Sequence, residues 1–350
     1  MADPARERLA LLLAGGGVRC RRLVAALPTD EDILGVLRRG GAPGPFLSAA
    51  RRLLDDTVPA VLERVDRAGW RWLTPAAAEY PPLLEHTADP PLGLFVRGRL
   101  AGGPPIGIVG ARRATAYGID VGRLLAEGVA AGGATVVSGM ARGIDAAAHE
   151  GALAGGGTTW AVWGTGPDRV YPPEHGALAE RIASSGALLT EYPPGTPPRK
   201  HHFPERNRIL AGLCDAVVVV EAAARSGALV TARLALDEGR EVLAVPGSVL
   251  SDLSIGPNSL LRIGARPALL PADLLEAVGL PRDGAGTADR RGGASDDPLL
   301  RQLAPGEART LDELVDVLGG DASATVHRLL ELEMDGRVRR ELDGRYRRRE

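Results

Sequence analysis

The chain has 350 residues, 45% of them apolar and 25% charged, which is the composition of a soluble globular protein long enough for two or three domains and excludes a disordered or fibrous chain. Lysine and arginine number 42 against 44 acidic residues, a net charge of −2, so there is no global basic field and any anion site has to be local. Two cysteines, Cys20 and Cys214, with neither a CxxC nor a Cys/His cluster, argue against a disulfide framework or a structural zinc site and suit a reducing cytosol.

The first 75 residues read as a small helical domain. "RERLALLLAGG", "RCRRLVAALP" and "FLSAARRLLDDTVPAVLERVDRAGW" repeat leucine, alanine and valine at three-to-four-residue spacing between Gly and Pro breaks. The opening stretch imitates a signal peptide, but Glu7 interrupts its positive region and its apolar run is short; no run reaches the ~18 apolar residues of a membrane helix. A proline-rich extended connection, "EYPPLLEHTADPPLGLFVRGRL", follows.

From residue 106 short apolar runs alternate with glycine turns and helical stretches: 106–109, 134–138, 158–163, 187–190, 216–220 and 241–245. Strands apolar on both faces belong to a parallel sheet covered on both sides, so residues 76–280 are expected to form a Rossmann-like, doubly wound, mostly parallel α/β domain. Residues 281–297, rich in Gly, Asp and Arg, read as a flexible linker. Over residues 298–350, Thr310 with Glu313 predicts a capping box, a second helix follows, and Asp343-Gly344 predicts a hairpin: a winged helix.

Ligands of an open parallel sheet bind beyond the carboxyl ends of its strands. The turn after the first run, "VGARRATAYG", offers Gly110, Ala111 and Arg112; the turn after the second, "SGMARGID", offers Arg142. G-x-G-x-x-G and G-x-x-x-x-G-K-[ST] are both absent, which argues against a dinucleotide site and a P-loop. His149 lacks the partner of a metal motif and reads as a packing residue, Ser226 reads as a helix cap ahead of a nucleophile, and Asp145 and Glu221 read as helix caps or arginine partners ahead of a catalytic pair. No cofactor is expected.

Residues 199–208, "RKHHFPERNR", hold the sole lysine of the chain, Lys200, among Arg199, Arg206 and Arg208, with Glu205 the one acid. Such a run is commonly a solvated face. Here Phe203 and two histidines interleave with the cations, and cation plus aromatic is how a single-strand platform tracks phosphates and stacks bases.

"VGARRAT", "SGMARGIDAAAHEGAL", "VYPPEH", "EYPPGTPPRKHHFPERNRILAGL", "VVVVEAAARSGALVTARLALDEGREVLAVPG" and "SIGPNSLLRIGA" together resemble the DprA/Smf family of DNA-processing proteins, closely over residues 106–266. The resemblance implies a non-enzymatic recombination mediator, as in natural transformation, that binds and protects single-stranded DNA, dimerises through its Rossmann-like domain and helps load the RecA recombinase. It carries strand-binding roles onto Gly110, Ala111, Arg112 and Lys200; Beside Arg112 and Lys200, Arg142, Arg199 and Arg206 are expected to hold phosphates, with Phe203 as either a stacker or a core anchor. It further implies that the helical N-terminus is SAM-like. Ala111 stands where the family usually has Ser or Thr, His175 where asparagine is common, and the expected recognition helix carries Glu331, Glu333 and Asp335, which repel phosphate. The competing expectation is an enzyme, a nucleotide-processing phosphoribohydrolase on the same frame; its P-G-G-x-G-T-x-x-E motif is replaced by "VPGSVLSDL".

Overall fold

The computed structural model describes residues 3–27, 33–35, 44–281, 297–303, 307–318, 322–334, 337–341 and 343–348. They fall into two compact units, Met1–Gly286 and Thr287–Glu350. The expected linker lies almost wholly outside the described residues, as do Asp335 and Arg349.

All six expected strands form: β3 (Pro105–Val109), β4 (Thr135–Ser138), β5 (Thr159–Val162), β6 (Ala187–Thr190), β7 (Ala216–Val219) and β8 (Glu241–Ala244). They belong to a nine-stranded sheet of order β1-β2-β6-β5-β4-β3-β7-β8-β9, in which β6 through β9 run parallel. Three strands were not anticipated. β1 (Arg71–Leu73) and β2 (Leu94–Gly98) add an antiparallel margin through β2 and β6, and β9 (Arg266–Pro267) closes the other edge.

Alternate residues of each strand feed opposite cores, which is why the runs are apolar throughout. Val109, Val137, Val217 and Val219 pack under the helices His202–Leu213 and Gly227–Asp237. Ile106, Ile108, Val136 and Val218 pack under the helices Ala116–Ala131 and Ile144–Ala154.

The N-terminal helices, Pro4–Leu13, Val18–Ala25, Gly44–Asp55 and Thr57–Arg67, share a core with this second face, where Leu9, Leu11, Val58 and Val65 meet Phe95, Ala161, Trp163 and Leu188. Trp70 meets Trp163 edge-on at 5.4 Å between ring centroids. An ion-pair chain fixes the same junction: Arg21 grips Asp89 with two hydrogen bonds of 2.8 and 2.9 Å, Asp89 holds Arg208 at 3.2 Å, and Arg208 pairs with Glu191.

The second unit has its own core of Leu299, Leu300, Leu303, Leu314, Leu329, Leu332 and Val338. The capping box is present: Thr310 N–H donates to Glu313 Oε2 at 2.8 Å and Glu313 N–H to Thr310 Oγ1 at 3.3 Å, opening the helix Leu311–Leu318. The helix Ala322–Met334 leads into the wing, where β11 (Val338–Arg340) and β12 (Tyr346–Arg348) pair antiparallel and β10 (Ala308–Arg309) joins β12. Gly344 sits at φ +85°, the left-handed turn conformation that the Asp-Gly pair predicts. Among the described residues no helix is long and apolar enough to cross a membrane.

Candidate nucleic-acid interface

The strand order reverses between β3 and β7, so the turns after these strands diverge and leave a crevice at the carboxyl edge. A cavity of about 550 Å³ lies there, lined among others by Gly110, Arg112, Asp145, Tyr171, Lys200 and Phe203.

Its first wall is the turn after β3. Thr115 caps the helix Ala116–Ala131, accepting from Gly118 N–H at 3.0 Å. The buried Glu221, at the end of β7, takes Thr115 N–H at 2.9 Å and the Thr115 hydroxyl at 2.5 Å. A Cβ on Gly118 would collide with that carboxylate. Glu221 thus occupies the helix N-terminus where a dinucleotide-binding sheet would place a pyrophosphate, and the cap reading of this residue holds.

The turn after β4 supports the first. Gly143 adopts φ +77°, and a Cβ there would overlap the Ala111 carbonyl, which Ile144 N–H reaches at 3.2 Å. This close approach sets the backbone that carries Arg112. Arg112 is exposed, and its guanidinium lies 4.9 Å from the Phe203 ring centroid. Phe203 also meets Tyr171, from the loop after β5, at 5.5 Å between centroids; Tyr171 is 38% exposed.

The second wall is the start of the helix His202–Leu213. Arg199 and Lys200 lie exposed just ahead of its first turn, on its positive end. Among the described residues no carboxylate forms a salt bridge with Arg113, Arg199 or Lys200, while Arg112 feels the charge of the buried Asp145. Arg225, in the loop after β7, is likewise exposed and unpaired among them. The other expected cations differ. Arg142 lies out on the surface in an ion pair with Glu174 at 2.5 Å.

Arg206, expected on the interface, is 3% exposed. Its guanidinium donates to the Val162 carbonyl and faces Asp145, whose carboxylate accepts Ala141 N–H at 3.2 Å. Burial pushes the Arg206 guanidinium down to about 10 and raises Asp145, with the opposed charges resisting both shifts. Arg206 therefore forms the floor of the crevice and joins the strand ends from below.

Chemistry elsewhere is spent on structure. Ser226 caps the helix Gly227–Asp237 through Leu229 N–H at 3.4 Å. His149 is fully buried, hydrogen-bonds Thr159 Oγ1 at 2.7 Å and is pushed down to about 3 by burial, so it packs as a neutral ring. No cluster of His, Cys, Asp or Glu able to hold a metal exists among the described residues. In the second unit, Arg328 of the helix Ala322–Met334 is engaged by Asp297 at 2.7 Å and Glu331 at 2.5 Å, and Val326 and Leu330 are exposed on the same helix.

Tyr171 is the residue that sequence reasoning left out. It lies in the "VYPPEH" motif after the third run, but periodicity does not show that the ring returns to Phe203. For Arg206 a signal did exist: Phe203, Arg206, Leu210 and Leu213 recur at helical spacing, which marks the inward stripe of their helix.

A doubly wound sheet whose switch-point crevice is lined with cations and aromatic rings, on a chain with a winged-helix unit, defines a multidomain protein of the Rossmann-like class. Within that class the chain belongs to the DprA/Smf family: the model of the DNA recombination-mediator protein A family matches residues 71–279, and that of the DprA winged helix domain matches residues 286–344. The chain is 38% identical to the putative DNA processing protein DprA of Mycobacterium tuberculosis, over 99% of this chain and 95% of that one. It is 41% identical to protein Smf of Escherichia coli, over 75% and 74%. The X-ray structure of DNA processing protein A from Streptococcus pneumoniae superposes with a TM-score of 0.71 at 34% identity, covering 79% of this chain and 98% of that one. A structure describing the single-stranded DNA binding mode of DNA processing protein A from Helicobacter pylori has a TM-score of 0.54 at 29% identity, covering 59% and 94%.

The geometry separates floor from surface. Arg206→Met leaves Asp145 buried without its cation and is expected to cost about 3–5 kcal/mol of stability, whereas Lys200→Met is expected to stay within about 0.5 kcal/mol of wild type. Urea unfolding followed by circular dichroism checks this; equal stability of the two variants would contradict the assignment of Arg206.

Proposed function

We propose that this protein binds single-stranded DNA in the crevice between the ends of β3 and β7 and acts there as a recombination mediator that protects the strand and helps load the RecA recombinase, as in natural transformation. The observation that carries the reading is the pairing of exposed Arg112 and Lys200 with the Tyr171–Phe203 ring pair in one cavity, beside a helix N-terminus closed to nucleotide phosphate by Glu221. Cations follow the backbone while rings accept any base, which suits binding without sequence preference. The RecA role and the link to transformation rest on family membership, and the protein is placed in the cytoplasm on the same footing.

In this reading Gly110 and Ala111 present backbone to the strand, Arg112, Arg199 and Lys200 hold phosphates, Phe203 and Tyr171 stack on bases, and Arg142 joins by leaving Glu174. Arg206 acts by holding the floor. A catalytic role has little support: among the described residues lining the cavity the carboxylate is Asp145, which is committed to Arg206 and Ala141 N–H, so a phosphoribohydrolase would lack a free carboxylate there.

Fluorescence anisotropy of a labelled oligonucleotide against salt tests the groove. Lys200→Met is expected to weaken single-strand binding and to flatten the slope of log affinity against log salt by about 0.7, the value of one lost phosphate contact. An unchanged slope would remove Lys200 from the interface.

A second copy of the chain is the proposed partner at the β9 edge. Ile263, Leu269 and Leu270 are 71%, 64% and 59% exposed around this edge strand, an apolar strip that a homodimer would cover. Sedimentation velocity is expected to show a dimer for wild type and a monomer for Ile263→Arg/Leu269→Arg; equal sedimentation of the two would contradict this interface.

A further inference from the structure

The loop after β8 ends in the two most exposed apolar side chains among the described residues, Val249 at 89% and Leu250 at 94%. It is not a loose tip. Asn258 clamps its base from both sides, accepting Gly247 N–H at 3.2 Å and donating to the Gly247 carbonyl at 2.9 Å. Leu250 N–H donates to Ser248 Oγ at 3.2 Å and Ser251 N–H to the Ser248 carbonyl at 3.1 Å, closing the turn that projects the pair. Holding two aliphatic side chains in water on a braced support is unfavourable unless a partner covers them.

The position indicates the partner. β8 lies beside β7, and neighbouring strands are about 5 Å apart, so this loop rises from the same carboxyl edge as the crevice, one strand further along. The segment after β7 joins the two: Ala222 N–H donates to the Leu253 carbonyl at 2.7 Å and Gly256 N–H to the Ala222 carbonyl at 2.8 Å, while Gly227 and Ala228 a few residues on line the cavity. The loop itself offers no cation. Ser248, Val249, Leu250, Ser251 and Asp252 follow in order, so a polynucleotide passing over it meets apolar surface and an acid, which favours contact through its bases.

We propose that Val249 and Leu250 form a second, base-contacting station for single-stranded DNA, reached by the strand as it leaves the Arg112–Lys200 crevice across β7. The proposal rests on the crevice reading above and divides the surface by chemistry: phosphates are held at the crevice and bases at the loop. The apolar pair rests against base faces, favouring unpaired strands, since a duplex keeps those faces stacked inside.

The test uses the full chain and labelled oligothymidylates of roughly four and roughly sixteen nucleotides, the lower and upper site sizes of such platforms. Val249→Ser/Leu250→Ser is expected to lose about tenfold in affinity for the long strand, with the salt slope unchanged because no phosphate contact is removed, and to bind the short strand as wild type does. Leu250→Trp, which enlarges the base-contacting surface, is expected to bind the long strand more tightly, with indole fluorescence quenched on binding. Unchanged affinity of the serine variant for the long strand would overturn the proposal, as would a changed salt slope. A drop in sedimentation coefficient of the serine variant would also overturn it, because the pair would then cover a second copy. Failure of the wild type itself to bind either strand would instead sink the crevice reading on which this station depends.

Discussion

The interaction on which the rest of the site depends is the carboxylate of Glu221 seated on the N-terminus of the helix Ala116–Ala131. A doubly wound sheet has its most favourable anion position there, where free backbone N–H groups and the helix dipole converge. By filling the position from within, the chain closes that helix N-terminus to a nucleotide phosphate, and the exposed cations of the crevice are side chains on both walls, Arg112 on one and Arg199 and Lys200 on the other. The fold supplies the crevice, and one buried acid closes its helix-dipole position.

Arginine dominates the cations of this chain, yet many of its arginines are committed. Arg21 and Arg208 are locked around Asp89 and Glu191, Arg206 beneath the crevice and Arg328 between two acids of the second unit. These are planar guanidinium groups used where geometry is fixed. Lys200 is the contrasting case, a mobile ammonium in solvent at a helix N-terminus, suited to following a backbone whose position shifts from one sequence to the next. Arg112 combines both behaviours, resting its plane near Phe203 while leaving its charge exposed.

The sheet was legible in the sequence because every strand buried on both faces is a continuous apolar run, and each such run became a strand. β1 and β2 were not, because they pair antiparallel at the margin and β2 follows a proline-rich stretch that reads as a connection; β9 is two residues long, too short for any pattern. The capping box and the Asp-Gly wing turn were legible as local chemistry. Of the residues lining the cavity, Arg112 could be read from charge beside a strand end, and Lys200 and Phe203 from a run that interleaves cations with aromatic rings. The inward turn of Arg206 was present as helical spacing but was outweighed by its charge. The meeting of Tyr171 with Phe203 depends on the loop after β5 returning to the first turn of the helix His202–Leu213, which linear order does not encode.

A single strand bound in the β3/β7 crevice, as proposed, rests its bases against aromatic rings. The most direct test of this placement is ultraviolet crosslinking of the wild-type protein to a single strand containing 5-bromodeoxyuridine, with the attached residues identified by mass spectrometry. Crosslinks are expected at Tyr171 and Phe203. Crosslinks confined to the helices of residues 4–67 or to the winged-helix unit would contradict it.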